Sequence, residues 1–119
     1  MQYIQRLLEH VIDAAARGNT DLCIHLESKS TPDRWVQLTF DSINATYPFA
    51  DEPLAKAREL ELPQYRSLEV MDWKPNVYAT FEHGTDELEQ VAAFVAEYMQ
   101  KILGVNPAEP DVRVEEQQL

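Results

Sequence analysis

Apolar residues at the start of the chain recur with the spacing of one helix face. They are Tyr3, Ile4, Leu7, Leu8, Val11 and Ile12. Alanines at 14–16 extend the pattern, and Gly18 with Asn19 then supplies residue types that commonly end a helix. The sequence therefore predicts an N-terminal amphipathic helix with one face turned toward a core.

The spacing then changes from 3.6 residues to 2, which is typical of half-buried strands. In the first run, Leu22, Ile24 and Leu26 alternate with Cys23, His25 and Glu27. After turn residues at 28–33, a second run places Val36, Leu38 and Phe40 opposite Trp35, Gln37 and Thr39. Beyond Asp41 the apolar positions shift by one residue, so we expect a bulge, a bend or a new strand there.

The middle of the chain predicts a short helix followed by renewed alternation. Asp51-Glu52-Pro53 is typical of a helix start with Asp51 as the cap, and Pro63 limits the helix. Alternation resumes from Arg66 and reaches Glu82, interrupted by Lys74-Pro75-Asn76. Residues 66–82 are thus either a hairpin around Pro75 or one long strand kinked there.

The last helical pattern is the strongest in the chain. Thr85 is placed as its N-cap, and Asp86 and Glu87 complement the helix dipole. One apolar stripe follows: Leu88, Val91, Val95, Met99 and Ile102. Gly104 and Val105 fit the C′ and C″ positions of a Schellman cap, which predicts the C-terminal end.

Runs of strands with helices at their ends predict an α+β fold. We expect a single domain over residues 1–105. Its antiparallel sheet of three to four strands is flanked by an N-terminal helix, a short middle helix and a long C-terminal amphipathic helix. Residues 106–119 include Pro107, Pro110 and several charged side chains, so we expect an acidic extended or flexible tail.

Composition narrows the setting and the class of partner. The 119 residues are 45% hydrophobic and carry a formal charge of −11, which fits one acidic globular domain. Such a surface repels phosphate backbones and anionic lipid, so we expect no nucleic-acid and no membrane partner. The lone Cys23 cannot form an internal disulfide, and the N-terminal residues do not resemble a signal peptide, so we expect a cytoplasmic protein.

Catalytic motifs are scarce. Three separated glycines leave no glycine-rich phosphate loop, and neither G-x-S-x-G nor H-E-x-x-H occurs. Cys23 and His25 share a strand face as a possible metal or nucleophile pair, but packing explains both more simply. Asp41 and Asp72 could be catalytic acids, but a bulge and a strand end also account for them. We expect a protein that is not an enzyme, with no cofactor and no metal.

Large side chains opposite the predicted core face point to binding instead. They are Trp35, Met71, Trp73 and Tyr78. Aromatic residues and Met exposed on one face are typical of a partner-binding or dimer surface. We therefore expect a protein or peptide partner and a homodimer, and the pattern leaves open whether this face is a groove or a dimer interface.

Two short segments carry a resemblance to a known family. Leu60-Glu61-Leu62-Pro63 precedes an aromatic-bearing strand, and the last helix runs through residues 91–95 to an Ile102-Leu103-Gly104-Val105-Asn106-Pro107 exit. With the order of elements, residues 1–108 resemble the type III secretion chaperone-like fold, and more closely the YbjN-like (TY-Chap) group. The resemblance implies an often dimeric domain that binds an extended partner segment on apolar sheet and helix surfaces, without cofactor or catalysis.

The charge favours one alternative class. An acidic inhibitor or immunity-type protein would cover a basic site with carboxylates, and its binding would weaken with salt. Much of the acid, however, is assigned to helix starts and to the tail, including Asp51, Glu52, Asp86 and Glu87. The apolar face is therefore the preferred binding surface.

Overall fold

The computed structural model of the chain describes residues 2–63, 68–84, 87–107 and 112–118. The elements are α1 (Gln2–Ala16), β1 (Leu22–Ser28), β2 (Trp35–Leu38), β3 (Ser42–Thr46), α2 (Pro53–Glu59), β4 (Glu69–Lys74), β5 (Tyr78–Glu82), α3 (Leu88–Glu97), a π-helical turn (Tyr98–Ile102) and β6 (Val112–Gln118). The strands form one antiparallel sheet in the order β4-β5-β3-β2-β1-β6. The predicted α+β class is confirmed, whereas three to four strands was an undercount.

The parity change near Asp41 marks a new strand. β2 ends at Leu38 and β3 begins at Ser42. The backbone N–H of Thr39 donates to the Ser42 carbonyl at 3.0 Å, and the two hydroxyls lie 2.6 Å apart. These bonds hold a tight reversal, so Phe40 lies in the turn and not in the strand in which we placed it.

Residues 69–82 form a hairpin, which resolves the choice left open by the sequence; residues 66 and 67 lie outside the described part of the chain. Asn76 adopts a φ of 62°, and Val77 N–H donates to the Lys74 carbonyl at 3.0 Å, so the chain reverses there. The register shifts between Val70 and Asp72, which inserts Met71 as a bulge residue. A one-residue bulge moves every later side chain of β4 to the opposite face from simple alternation.

The cap of α2 differs from the prediction by one residue. The Glu52 carboxylate, and not that of Asp51, accepts hydrogen bonds from the N–H groups of Leu54 at 3.2 Å and Ala55 at 2.9 Å. Asp51 instead places its carboxylate 3.6 Å from Lys56 Nζ. Pro53 occupies the first helical turn as expected, because its missing N–H removes no helical bond there.

The predicted C-terminal end of the last helix is confirmed. Gly104 has the positive φ (68°) expected at C′, but Val105 N–H donates to the Met99 carbonyl at 2.8 Å, which is one residue further back than the long bond of a Schellman motif because the π-helical turn widens the end of the helix. The π-helical turn lies just before this cap. The predicted N-cap Thr85 and its neighbour Asp86 lie outside the described residues.

One hydrophobic core lies between the helices and one face of the sheet. Alternate strand residues are buried on that face, among them Ile24, Leu26, Val36, Leu38, Ile43, Ala45, Ala79 and Phe81. The rings of Phe81 and Phe94 lie 5.3 Å apart, and those of Phe81 and Tyr98 lie 5.8 Å apart. These edge-to-ring contacts join the C-terminal helix to β5.

A strand, β6, occupies half of the segment 106–119 that we predicted to be an extended or flexible tail. β6 pairs with β1 at seven register positions, from Leu22 opposite Gln118 to Ser28 opposite Val112. Its side chains contribute little burial: Val112 packs partly against the core and Val114 is 39% exposed. Because backbone pairing and not an apolar face holds this strand, its composition resembles that of a tail, and the domain extends beyond residue 105.

Candidate binding groove on the open sheet face

The sheet face opposite the core is the candidate site. We call it the open face; its strand residues include Glu27, His25, Trp35, Gln37, Asn44, Thr46, Tyr78, Thr80, Asp72, Lys74, Arg113 and Glu115. All of these side chains are half-buried or exposed, whereas their chain neighbours on the other face are mostly buried. The face is thus a polar and aromatic surface on a rigid sheet.

The structure brings together only two of the four predicted binding residues. Trp35 and Tyr78 lie on the open face of β2 and β5. Trp73 lies on the core face opposite Ala79, and its ring meets that of Tyr47 edge-on at 6.2 Å.

Met71 is 58% exposed at the bulge of β4. The bulge explains why strict alternation placed Trp73 on the wrong side of the sheet. Strict alternation places Trp73 and Val70 on opposite faces of the sheet. The extra residue at the bulge puts Trp73 on the same face as Val70.

Trp35 and Tyr78 line one groove with a volume of about 410 Å³. Asn44, Thr46 and Thr80 line it between them, and Asp33 and Val77 complete its wall. This volume falls in the range of about 300–1,000 Å³ typical of ligand pockets. The groove is therefore large enough to accept a side chain of a partner.

Hydrogen bonds fix the floor of this groove. The Thr46 hydroxyl accepts from Trp35 N–H at 2.9 Å and donates to the Trp35 carbonyl at 3.2 Å. The Thr80 hydroxyl donates to Asn44 Oδ1 at 2.8 Å, and Asn44 Nδ2 reaches Gln37 Oε1 at 3.5 Å. These bonds hold side chains of three neighbouring strands in one arrangement.

Aromatic side chains flank the groove in defined positions. The His25 ring stacks on Trp35 with centroids 5.7 Å apart, and His25 Nε2 lies 3.2 Å from Glu27 Oε2. The Tyr78 hydroxyl donates to Asp72 Oδ2 at 2.6 Å. This hydrogen bond raises the pKa of Tyr78, because ionisation would place a phenolate beside a carboxylate.

Of the candidate catalytic and metal residues, His25 and Asp72 contact the groove residues Trp35 and Tyr78. Cys23 is fully buried, and burial raises the pKa of its thiol, which disfavours the nucleophilic thiolate. Across the described ranges, no three His, Cys, Asp or Glu side chains cluster as metal ligands would. Asp41 and Asp72 are both solvent-exposed.

Sequence reasoning missed several groove residues. The sequence predicts Asp33 only as a turn residue, whereas in the structure it lines the groove together with Trp35. Asn44 and Thr46 join that face because β3 pairs with β2. Their alternation with Ile43, Ala45 and Tyr47 was visible, but the hairpin that aligns them with Trp35 was only one of three alternatives.

A second cleft of about 620 Å³ lies along α1 and near Leu88. Its wall combines the charged and polar side chains of Arg6, Glu9, His10 and Asp13 with apolar surface of Ile12, Ala16 and Leu88. His10 pairs there with Glu116 of β6. This cleft holds none of the predicted binding residues.

The chain was compared with family models, with curated proteins and with solved structures, and none of the three comparisons gives a match. No helix among the described residues is both long and apolar enough to span a bilayer.

Proposed function

We propose that this chain is a non-enzymatic binding module that holds an extended segment of a protein or peptide partner on its open face. The proposal rests on the groove between Trp35 and Tyr78. This groove lies in a sheet face whose side chains are half-buried or exposed. Rigid aromatic anchors in a preformed groove lose little conformational entropy when a partner binds. The proposed binding centre is therefore this groove.

The resemblance noted in the sequence supports the same class of function. From α1 to α3 the described elements run helix, meander, short helix, hairpin and helix, which follows the helix, meander, short helix, meander and long helix of the YbjN-like resemblance with a two-stranded hairpin in place of the second meander. We propose on this basis a chaperone-like adaptor. β6 lies beyond the residues that the resemblance covers.

The edges of the sheet are less suited to a partner than its open face. β4 is interrupted by the bulge at Met71 and exposes Glu69, Asp72 and Lys74. β6 exposes charged residues along its length, as in Arg113 and Glu115. Bulges and charges are devices that keep edge strands from pairing with other chains. The partner segment is therefore placed across the open face.

Two tryptophan substitutions test the proposal as a matched pair. Peptides selected from a random displayed library against the purified protein supply the ligands, and fluorescence anisotropy gives their Kd. Trp35→Ala should weaken binding at least about tenfold, as expected for an anchor residue. Trp73→Ala, on the core face, should leave Kd within about twofold while lowering stability. Equal effects of the two substitutions, or selection of no peptide, would contradict the proposal.

On the resemblance to a family whose domains are often dimeric, we also propose a homodimer, and a contact outside the groove would leave each chain one binding site. Sedimentation velocity of the native protein should then show a dimer, and Trp35→Glu should leave it intact. A native monomer would refute the dimer. Loss of the dimer in Trp35→Glu would show that the dimer contact covers the groove.

The alternative is an acidic inhibitor, which the charge of −11 favours. Such a protein spreads its binding over many carboxylates, so no single aromatic substitution would reduce affinity strongly. Its affinity would also fall steeply as ionic strength rises to about 0.5 M, where the screening length is only a few ångströms. A strong effect of Trp35→Ala at high salt would exclude this alternative.

A further inference from the structure

The hydroxyl groups that line the groove already donate hydrogen bonds to oxygen atoms of the protein. Each of the three hydroxyl groups donates to one such oxygen: Thr46 to the Trp35 carbonyl at 3.2 Å, Thr80 to Asn44 Oδ1 at 2.8 Å and Tyr78 to Asp72 Oδ2 at 2.6 Å. The groove walls still present oxygen lone pairs on Asp33 and on the three hydroxyls, together with aromatic faces, Val77 and the N–H donors of Trp35 and Asn44. A hydrogen-bond donor on a ligand can therefore pair with these oxygen atoms.

The charged residues around the groove also favour a positively charged hydrogen-bond donor as the ligand. Asp33 lies in its wall, Asp72 is bonded to Tyr78, and Glu27 is the register partner of Trp35 on β1. Two cations stand against these three carboxylates: Lys74, the register partner of Tyr78 on β4, and Arg113, the register partner of Glu27 on β6. The local field is negative, and the net charge of −11 reinforces it at long range.

From these two observations we infer that the groove accepts the guanidinium group of an arginine in the bound segment. The inference rests on the proposed function and names the chemistry of its partner: an extended basic segment. A guanidinium is planar, so it can stack on the aromatic face of Trp35 while its N–H groups meet the carboxylate of Asp33. Its five donors and no acceptor match the carboxylate and hydroxyl oxygens of the groove.

Short model peptides test this directly. Four heptapeptides that differ only at a central arginine, lysine, citrulline or leucine are titrated into the full-length protein, and two-dimensional NMR follows the indole N–H of Trp35. The arginine peptide should bind tightest. Citrulline keeps the shape but not the charge, and should bind at least about fivefold more weakly, the factor that one charge-assisted contact of about 1 kcal/mol supplies.

Two substitutions of opposite sign serve as controls. Asp33 and Lys74 are both exposed, so neither substitution should disturb the fold. Asp33→Asn should weaken arginine-peptide binding by about threefold, and Lys74→Gln should strengthen it by about twofold, as expected for exposed charges. A loss of affinity in Lys74→Gln would contradict the charge argument.

The outcomes separate this inference from the proposed function. If library-selected peptides require Trp35 but contain no basic residue, the binding module stands and the arginine site falls. The arginine site is also refuted if citrulline or lysine binds as tightly as arginine, or if Trp35→Ala leaves arginine binding unchanged. If selected peptides ignore Trp35 altogether, the proposed function itself fails.

Discussion

The hydroxyl of Tyr98, just beyond α3, donates a 2.7 Å hydrogen bond to the backbone carbonyl of Thr46 at the end of β3. Tyr98 is almost completely buried. Thr46 carries the hydroxyl that bonds the backbone of Trp35 on the opposite face. One residue of the sheet thus connects the helical layer to the wall of the groove.

We expect Tyr98→Phe to lower the free energy of unfolding by about 1–2 kcal/mol, because it leaves a buried carbonyl without this donor. Tyr78→Phe is the control: its hydroxyl bonds Asp72 at the surface, so its loss should lower the free energy of unfolding much less. Urea unfolding of the two variants measures the difference. Equal decreases in the free energy of unfolding would show that the buried Tyr98 hydrogen bond stabilises the fold no more than the surface bond of Tyr78.

Alkaline pH should destabilise the fold through two buried tyrosines. Burial raises the pKa of Tyr47 to about 12, with Asp51 and Glu52 adding to the shift, and burial also raises the pKa of Tyr98. The unfolded value is about 10, so the folded state favours the neutral phenol. This stabilisation is complete below about pH 10 and is lost as pH rises, for Tyr47 up to about 12.

Urea unfolding at about pH 8 and about pH 11 measures this loss. Tyr98→Phe should flatten the decline, because one of the two groups no longer ionises on unfolding. A free energy of unfolding that stays constant over this range in the native protein would contradict the prediction.

The cap of α2 gives a prediction that separates neighbouring acids. Glu52→Ala should cost about 1 kcal/mol of stability, because two helix N–H groups lose their acceptor. Asp51→Ala removes only a surface ion pair with Lys56 and should cost less than about 0.5 kcal/mol. Thermal unfolding of both variants measures the difference. A larger loss of stability in Asp51→Ala would indicate that Asp51, the cap predicted from the sequence, caps the helix.

Cys23 should be unreactive in the folded protein. Its side chain is fully buried and burial raises the pKa of the thiol, so a thiol reagent finds neither access nor thiolate. Labelling should be slow under native conditions, become fast in denaturant, and follow the unfolding transition between them. Rapid labelling without denaturant would show that β1 opens or that the thiol is accessible.

The sequence predicted the positions of helices and strands better than the side of the sheet on which each residue lies. Periodicity placed α1, β1 and the Gly104 cap, because those residues obey one local rule each. It misplaced Trp73, since the bulge at Met71 depends on pairing between β4 and β5. It missed β6 for a related reason: that strand is held by backbone bonds to β1, and its side chains carry no apolar alternation.

The candidate site was predictable only in part. Trp35 and Tyr78 were identified by their aromatic character opposite apolar neighbours. Asp33 and Thr46 were not, because their roles depend on the strand order that brings β2 and β3 together. Local patterns report which side of a strand a residue occupies, whereas a groove requires knowing which strands are neighbours.

The pairing of β6 with β1 has a consequence for shortened versions of the chain. β1 is an inner strand with an almost wholly buried pattern of side chains, unlike a natural edge. Removing residues 112–118 would leave seven residues of its backbone without their partners. An unprotected edge of this kind is a template for strands from other copies, so a truncated chain should self-associate into sheets instead of remaining dispersed.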